Sequence, residues 1–470
     1  MDVEQLPKLR SLGRSEQLSA VSHAIGFFHN VGVSAHYSMP TTTAHYGLQT
    51  TIYAALANLI HRHAILSAIP VNEDLPDAYW VRLPSIDLAS CVTFLTRSQS
   101  FDKSKDDQEL DKILQEQHNT NFKSNYGSLP FWRVVILRDT ETGLDFTASF
   151  IFHHSIGDGA TGLIFHKFFR GALDAATSSN ESLANISTLV QSSSNVQLLP
   201  TLEELHPLPL NENPVDFRNK GLEEWTAAPI QLPCHTHYRS LYLSSASSSK
   251  FAQRCKQNSL TVTSGLQAIL AHSLFDVLPQ NVSALTGIIP INLRPWLNLH
   301  KGAADNAMGS FIDAIKVQTQ RSHFEPNDNN PIQGLPAAHH ASQAITHYLT
   351  GNPSPSGEPY TSVAFFKAIP DVAAAFKSML GTNRDAAFEV SNLGRFGDEA
   401  AEAADSQWRV GRMTFSRSAV AFGAALNTSV VSGGDGALTI GFSWQEGVVD
   451  DALVEAVVGG FKKYFDSESF

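Results

Sequence analysis

The sequence predicts an α/β protein of two lobes, each a mixed β-sheet packed with helices. Three observations carry that prediction. Strand-like alternation and helix-like spacing of apolar residues both occur in each half of the chain. Their order is never a strict strand–helix–strand repeat, which disfavours a purely parallel doubly wound sheet. Between the halves lies a stretch too rich in Ser, Asn and Pro to form core. The 470 residues, 43% hydrophobic and 17% charged, suffice for a large buried interior.

Taken in order, residues 31–39 (VGVSAHYSM) alternate as a strand does. Residues 47–66 place Leu48, Ile52, Ala55, Leu56, Leu59 and Ile60 at helical spacing. Residues 131–138 and 144–152, joined by DTETG, read as a hairpin, with Phe146, Ala148, Phe150 and Phe152 on one face. HHSIGDG follows, then a helix whose apolar side is Ala160, Leu163, Ile164, Phe168, Phe169, Ala172 and Leu173. The Ser/Asn-rich residues 177–197 and the proline-rich residues 200–233 read as connections. The expected organisation is therefore a first lobe over 1–199, a crossover over 200–235 and a second lobe over 236–470.

In the second lobe, 237–243 predicts a strand and 263–278 a helix marked by Leu266, Ile269, Leu270, Leu274 and Leu278. Residues 285–294 predict a buried strand. Residues 244–249, 325–336 and 351–359 have loop composition. Val420, Phe422, Ala424 and Leu426 alternate, as do Leu438, Ile440, Phe442 and Trp444. The turn SGGDG between these runs makes a hairpin. A helix over 449–465 follows.

Lys plus Arg is 33 and Asp plus Glu is 45, a net charge of −12, which argues against nucleic-acid binding. Cys91, Cys234 and Cys255 form no CxxC pair, so neither a disulfide framework nor a cysteine-rich zinc site is expected. Reduced thiols suit a cytoplasmic protein. The start, MDVEQLPKLRSLGRSEQ, lacks the apolar run of a secretory signal. No run approaches the ~20 apolar residues of a membrane span. Leu6, Leu9 and Leu12 offer a weak amphipathic start, the one feature that points to peripheral membrane contact.

The stretch FIFHHSIGDGATGLIFHKFFR, 150–170, bears three readings. Gly157, Gly159 and Gly162 match GxGxxG between a strand and a helix, but the second strand and terminal acid of a dinucleotide fold are missing. Alternatively, Asp158 only caps the following helix and the glycines shape the turn. In the third reading, a histidine at a strand end acts as a general base near neutrality. Asp158 then fixes the loop through a cationic partner, since an unpaired buried carboxylate is costly.

HHSIGDG at 153–159 resembles the HHxxxDG motif of the chloramphenicol-acetyltransferase-like superfamily of CoA-dependent acyltransferases. Four weaker stretches agree, in order: LANLIHRHAILSAI (56–69), LTVTSGLQAILAHSL (260–274), IIPINLRPWL (288–297) and SNLG (391–394). The resemblance spans nearly the whole chain and is closest to fungal alcohol acetyltransferases. The DFGWG motif of the plant branch is absent, the nearest string being AVAFGAA at 419–425.

That resemblance implies two lobes around a channel, with acetyl-CoA or another acyl-CoA as co-substrate and no permanently bound cofactor. It implies His154 as catalytic base, Asp158 as structural aspartate, Arg294 as its ion-pair partner, Gly159 as the close-approach residue and His153 as a structural neighbour. The acceptor is expected to be a small-molecule alcohol. A carrier-bound thioester or an amine acceptor, as in condensation-type enzymes, is the alternative. A monomer is expected.

Ser391, Asn392 and Thr428, on second-lobe strands, are candidates to polarise a thioester carbonyl or touch substrate, against a default of satisfied strand side chains. His61 with His63, and His339 with His340, lack ligating neighbours at useful spacing, so no metal is expected. There is no GxSxG elbow.

Overall fold

Two large sheets organise the computed structural model, which describes residues 2–39, 47–140, 143–178, 187–213, 218–325, 334–397 and 407–466. The first part of the chain forms β1 (Lys8–Ser11), α1 (Arg14–Ala24), β2 (Val31–Ser38), α2 (Leu48–Arg62), β3 (Ala68–Val71), β4 (Tyr79–Arg82), β5 (Ser85–Asp87), α3 (Leu88–Cys91), β6 (Val92–Thr96), α4 (Gln108–His118), β7 (Trp132–Arg138), β8 (Phe146–Phe152), α5 (Gly159–Ser178) and β9 (Leu189–Gln191). The remainder forms α6 (Leu202–Leu205), β10 (Thr236–Leu243), α7 (Ser245–Gln257), α8 (Val262–Val277), β11 (Ala284–Asn292), α9 (Lys301–Asp305), β12 (Ile312–Gln320), α10 (Leu335–Thr346), α11 (Val372–Ser378), β13 (Ala386–Arg395), β14 (Arg409–Arg417), β15 (Ala424–Ser432), β16 (Leu438–Gln445) and α12 (Asp451–Asp466).

The first sheet has the order β14-β2-β8-β7-β6. Phe146, Ala148, Phe150 and Phe152 of β8 are all fully buried. Helices α2 and α5 pack on each other, and α5 also lies on β2. Gly162 makes that approach close: a Cβ there would stand 2.2 Å from Val33 Cγ2. The second sheet has the order β10-β16-β15-β13-β11-β12 and mixes parallel with antiparallel pairs. Its core combines Leu266, Ile269, Leu270 and Leu274 of α8 with Phe388, Phe442 and Phe461.

The neighbours of β8 are β2 and β7, both antiparallel to it, so the strand that leads into the GxGxxG string is not part of a dinucleotide-type parallel unit. Asp174, an acid downstream of that string on α5, accepts the backbone N–H groups of Gln407 and Trp408.

Four findings correct the sequence reading. Residues 244–249 are not a loop: Ser244 caps α7 by accepting from Ser247 N at 3.2 Å, and Phe251 and Cys255 anchor the helix in the core. A serine run supplies a cap as readily as a turn, and the apolar pair lies beyond the window that was read. Leu6, Leu9 and Leu12 lie on and around a strand rather than along an amphipathic segment, and pack half-buried against the first core. The second-lobe hairpin begins at Ala424, since residues 420–423 precede the strand. The strand β14 was not predicted at all. It follows the crossover in sequence, yet pairs with β2 of the first sheet.

Of the segments read as loops, residues 179–186 and 326–333 lie outside the described residues. Among the described residues no helix is long and apolar enough to cross a membrane. The three cysteines are buried and unbridged, and burial pushes each thiol up to about 12.

Candidate active site

His154 follows the last residue of β8 by two positions, and a turn of four residues joins it to α5. It lines a cavity of about 380 Å³ whose walls come from both lobes. The ring packs on Phe28 at 5.5 Å between centroids. Nδ1 is sealed from solvent and meets only its own backbone carbonyl. A proton on Nδ1 directed at that carbonyl leaves the Nε2 lone pair free to face the cavity. Desolvation lowers the pKa of His154 below its usual 6.5, its carbonyl and Asp158 oppose the shift, and Arg417 adds to it. The ring is therefore neutral at physiological pH, the form that accepts a proton.

Asp158 is buried and bound on both carboxylate oxygens. Oδ1 accepts from Arg294 Nη2 at 2.9 Å and Thr161 N at 3.0 Å; Oδ2 accepts from Arg294 Nη1 at 2.8 Å and Phe311 N at 3.0 Å. Burial pushes the carboxyl up, and Arg294 with the two backbone N–H groups more than offsets it, leaving the pKa below the ordinary value. Arg294, just past the end of β11, also donates to the carbonyls of Ala307 and Gly309. Asp158 thus caps α5 and joins the HHSIGDG turn to the second lobe, so the capping reading and the ion-pair reading are both realised in one side chain. Gly159 lines the cavity, and a Cβ there would meet Leu393 Cδ2 at 2.5 Å.

His153 points away from the cavity into the first core, fully buried. Its Nδ1 accepts from Ser155 N at 3.0 Å, and Nε2 stands obliquely 3.1 Å from Glu73 Oε1. The same carboxylate meets His23 Nδ1 at 3.0 Å, while His23 Nε2 accepts from Phe122 N. Each histidine therefore has its tautomer set by a backbone donor and turns its one N–H toward Glu73. Burial pushes Glu73 up, but these two histidines hold it at about 2. The three groups stand close enough to hold a metal ion; His23 is engaged by hydrogen bonds, and His153 meets the carboxylate only through its 3.1 Å ion contact. Glu73 was missed because it sits in VNED, a string that reads as a solvated turn.

Glu73→Gln should cost roughly 2–3 kcal/mol. An amide presents one acceptor and one donor where two N–H groups converge, and neither histidine can exchange tautomers. The loss should be read as a lower chemical-denaturation midpoint at unchanged slope; an unchanged midpoint would contradict the arrangement.

Of the second-lobe candidates, Ser391 and Asn392 line the cavity. Asn392 is engaged locally, donating to Thr263 Oγ1 and accepting from Gly394 N. Thr428 is buried and is not among the lining residues. It pairs with Val390, whereas the lining residues Glu389 and Asn427 pair one position away, so alternation along the strand turns it from the cavity. Glu389, Asn427 and Arg417 also line the cavity and were not predicted. Met413, Phe415 and Arg417 share one face of β14, and a charge on such a face is the signal that could have found Arg417.

An alcohol acetyltransferase family model matches residues 96–465. This chain belongs to the alcohol acetyltransferase family. The acetyltransferase is 47% identical to the probable alcohol acetyltransferase crmB of Aspergillus fumigatus, over 97% of this chain and 99% of that one. Its fold resembles that of a trichothecene 15-O-acetyltransferase from Fusarium sporotrichioides, with a TM-score of 0.71 at 13% identity, covering 97% and 94% of the two chains. It also resembles the first condensation domain of the CDA synthetase, with a TM-score of 0.60 at 10% identity, covering 97% and 95%. The expected two-lobed acyltransferase fold and O-acetyltransferase activity are thereby shown.

Proposed function

We propose that the acetyltransferase moves an acetyl group from acetyl-CoA to a hydroxyl of a small secondary metabolite, with His154 as general base. The observation that carries this reading is the His154 imidazole lining an inter-lobe cavity, its Nδ1 sealed away from solvent, while Asp158 and Arg294 brace its turn. Nε2 takes the proton as the acceptor oxygen attacks the thioester carbonyl. The oxyanion then collapses, the C–S bond breaks, and CoA leaves as a thiolate that takes up a proton. The thioester is already activated, so no acyl-enzyme is needed. Holding both substrates in one cavity supplies much of the acceleration, and the base adds about 10²–10⁴-fold. Ser391 is the candidate to polarise the carbonyl from the second-lobe wall. Donor and acceptor enter by opposite mouths between the lobes. The protein works as a cytoplasmic monomer without a resident cofactor or metal.

The test is release of free thiol from acetyl-CoA across a panel of alcohols and amines, repeated as a function of pH. Esters should form in preference to amides. The lowered pKa of His154 should keep kcat/KM level through pH 7–8, with the acid limb lying below the ordinary histidine value of about 6.5. An acid limb well above that value would remove His154 from the base role. Amide formation alone would favour the condensation-type alternative.

A further inference from the structure

The cavity holds two buried ion pairs, and they differ in a way that bears on the acceptor. Asp158–Arg294 is saturated: both carboxylate oxygens and all three guanidinium nitrogens make hydrogen bonds. Arg417–Glu389 is not. Arg417 lies at the end of β14, in register with Val31, which in turn pairs with Phe152, two residues before His154. Its side chain reaches across to the second sheet, where Nη2 stands 2.6 Å obliquely from Glu389 Oε1 and donates to Asn427 Oδ1 at 3.0 Å.

Arg417, Glu389 and Asn427 are 8%, 8% and 1% exposed. Even so, Arg417 Nε, Glu389 Oε1 and Asn427 Nδ2 are sealed without hydrogen-bond partners, while Arg417 Nη1 and Glu389 Oε2 are neither sealed nor hydrogen-bonded, which leaves them as the atoms a ligand in the cavity reaches. The surrounding wall is mostly apolar, with Leu18, Phe28, Ile288, Pro290, Phe376 and Phe422.

Polar atoms left without partners in an apolar wall are destabilising, and a buried ion pair often stabilises a fold less than an apolar pair would. A few convergent polar groups in an apolar cavity are the usual means of orienting a ligand. The pair carries both signs. It therefore suits a neutral group that accepts from Arg417 and donates to Glu389, such as a hydroxyl or an amide, with Asn427 holding the guanidinium in place. Glu389 repels a carboxylate, and Arg417 repels an ammonium.

We propose that Arg417, Glu389 and Asn427 form an acceptor subsite that selects an otherwise apolar alcohol bearing a second, neutral hydrogen-bonding group. This rests on the reading that acetyl transfer occurs beside His154.

The experiment compares three acceptors with acetyl-CoA: cyclohexylmethanol, its 4-carboxamide and its 4-carboxylate. The wild-type protein should favour the carboxamide over the parent alcohol by about tenfold or more in kcat/KM and should use the carboxylate least. Glu389→Gln leaves Arg417 unopposed and should raise relative use of the carboxylate about tenfold or more. The double variant Arg417→Met with Glu389→Met keeps the site filled and uncharged, and should bring the carboxamide preference to within about threefold of unity.

Equal use of parent alcohol and carboxamide by the wild-type protein would overturn the subsite. So would a change in the KM for acetyl-CoA alone, which would assign the group to the amides of the donor's arm. Calorimetric binding of the same three alcohols to the His154→Ala protein reads the subsite without turnover. If binding keeps the preference while the wild-type protein acetylates nothing, the acyl-transfer reading falls and the subsite stands.

Discussion

Replacing His154 by alanine is expected to lower kcat by about 10²–10⁴-fold while leaving the fold intact. The two halves of that expectation have separate grounds. The rate should fall because Nε2 is the ring nitrogen that faces the cavity, and the neutral ring is the form able to take the acceptor's proton. The fold should survive because the side chain is only partly buried and its Nδ1 meets nothing beyond its own carbonyl. Truncation thus breaks no bond between elements. Thiol release from acetyl-CoA measures the first half and the denaturation midpoint the second. Full activity in the variant would remove the base from the mechanism.

Asp158→Ala should behave in the opposite way, with stability lost first. It leaves the Arg294 guanidinium buried without its counter-charge, and it strips Thr161 N and Phe311 N of their acceptors. Breaking one side of such a pair costs about 3–5 kcal/mol. Activity should fall with it, because the turn that carries His154 is tied to the second lobe through this carboxylate. The double variant Asp158→Leu with Arg294→Met separates the two effects. An apolar pair removes the unpaired charge and should recover much of the stability. It cannot restore the two backbone hydrogen bonds, so activity should stay low. A single variant with unchanged midpoint and rate would contradict the brace; a double variant with full activity would show that charge burial, and not the geometry of the turn, was what mattered.

Much of the site was legible because it is local. The strand end, the histidine, the glycine turn and the helix start fall within residues 146–178, so spacing alone places His154, Asp158 and Gly159 together. A buried carboxylate calls for some cationic partner, but only the resemblance of IIPINLRPWL at 288–297 pointed to Arg294. Glu73 and Arg417 were not reached. Glu73 acts through two histidines that lie 50 residues before it and 80 after it, and its own neighbours in sequence resemble a surface turn. Arg417 sits on a strand that leaves the second lobe's chain segment to join the first sheet, and no local pattern announces a change of sheet. Thr428 shows the converse limit: its strand was recognised, but which face met the cavity depended on register.

Alternation, helical spacing and a Pro- and Ser-rich break thus determined the fold class and the main strands and helices around the site, because each is a property of neighbours along the chain, and the HHSIGDG string marked the candidate site residues through its resemblance to a known motif. Only the tertiary structure decided which buried charges are saturated and which are open, which sheet β14 enters, and what surrounds the imidazole. Those outcomes depend on contacts between residues tens to hundreds of positions apart, such as Arg417 with Glu389 and Asp158 with Arg294. Their free energy comes from burial and register, which the one-dimensional pattern does not contain.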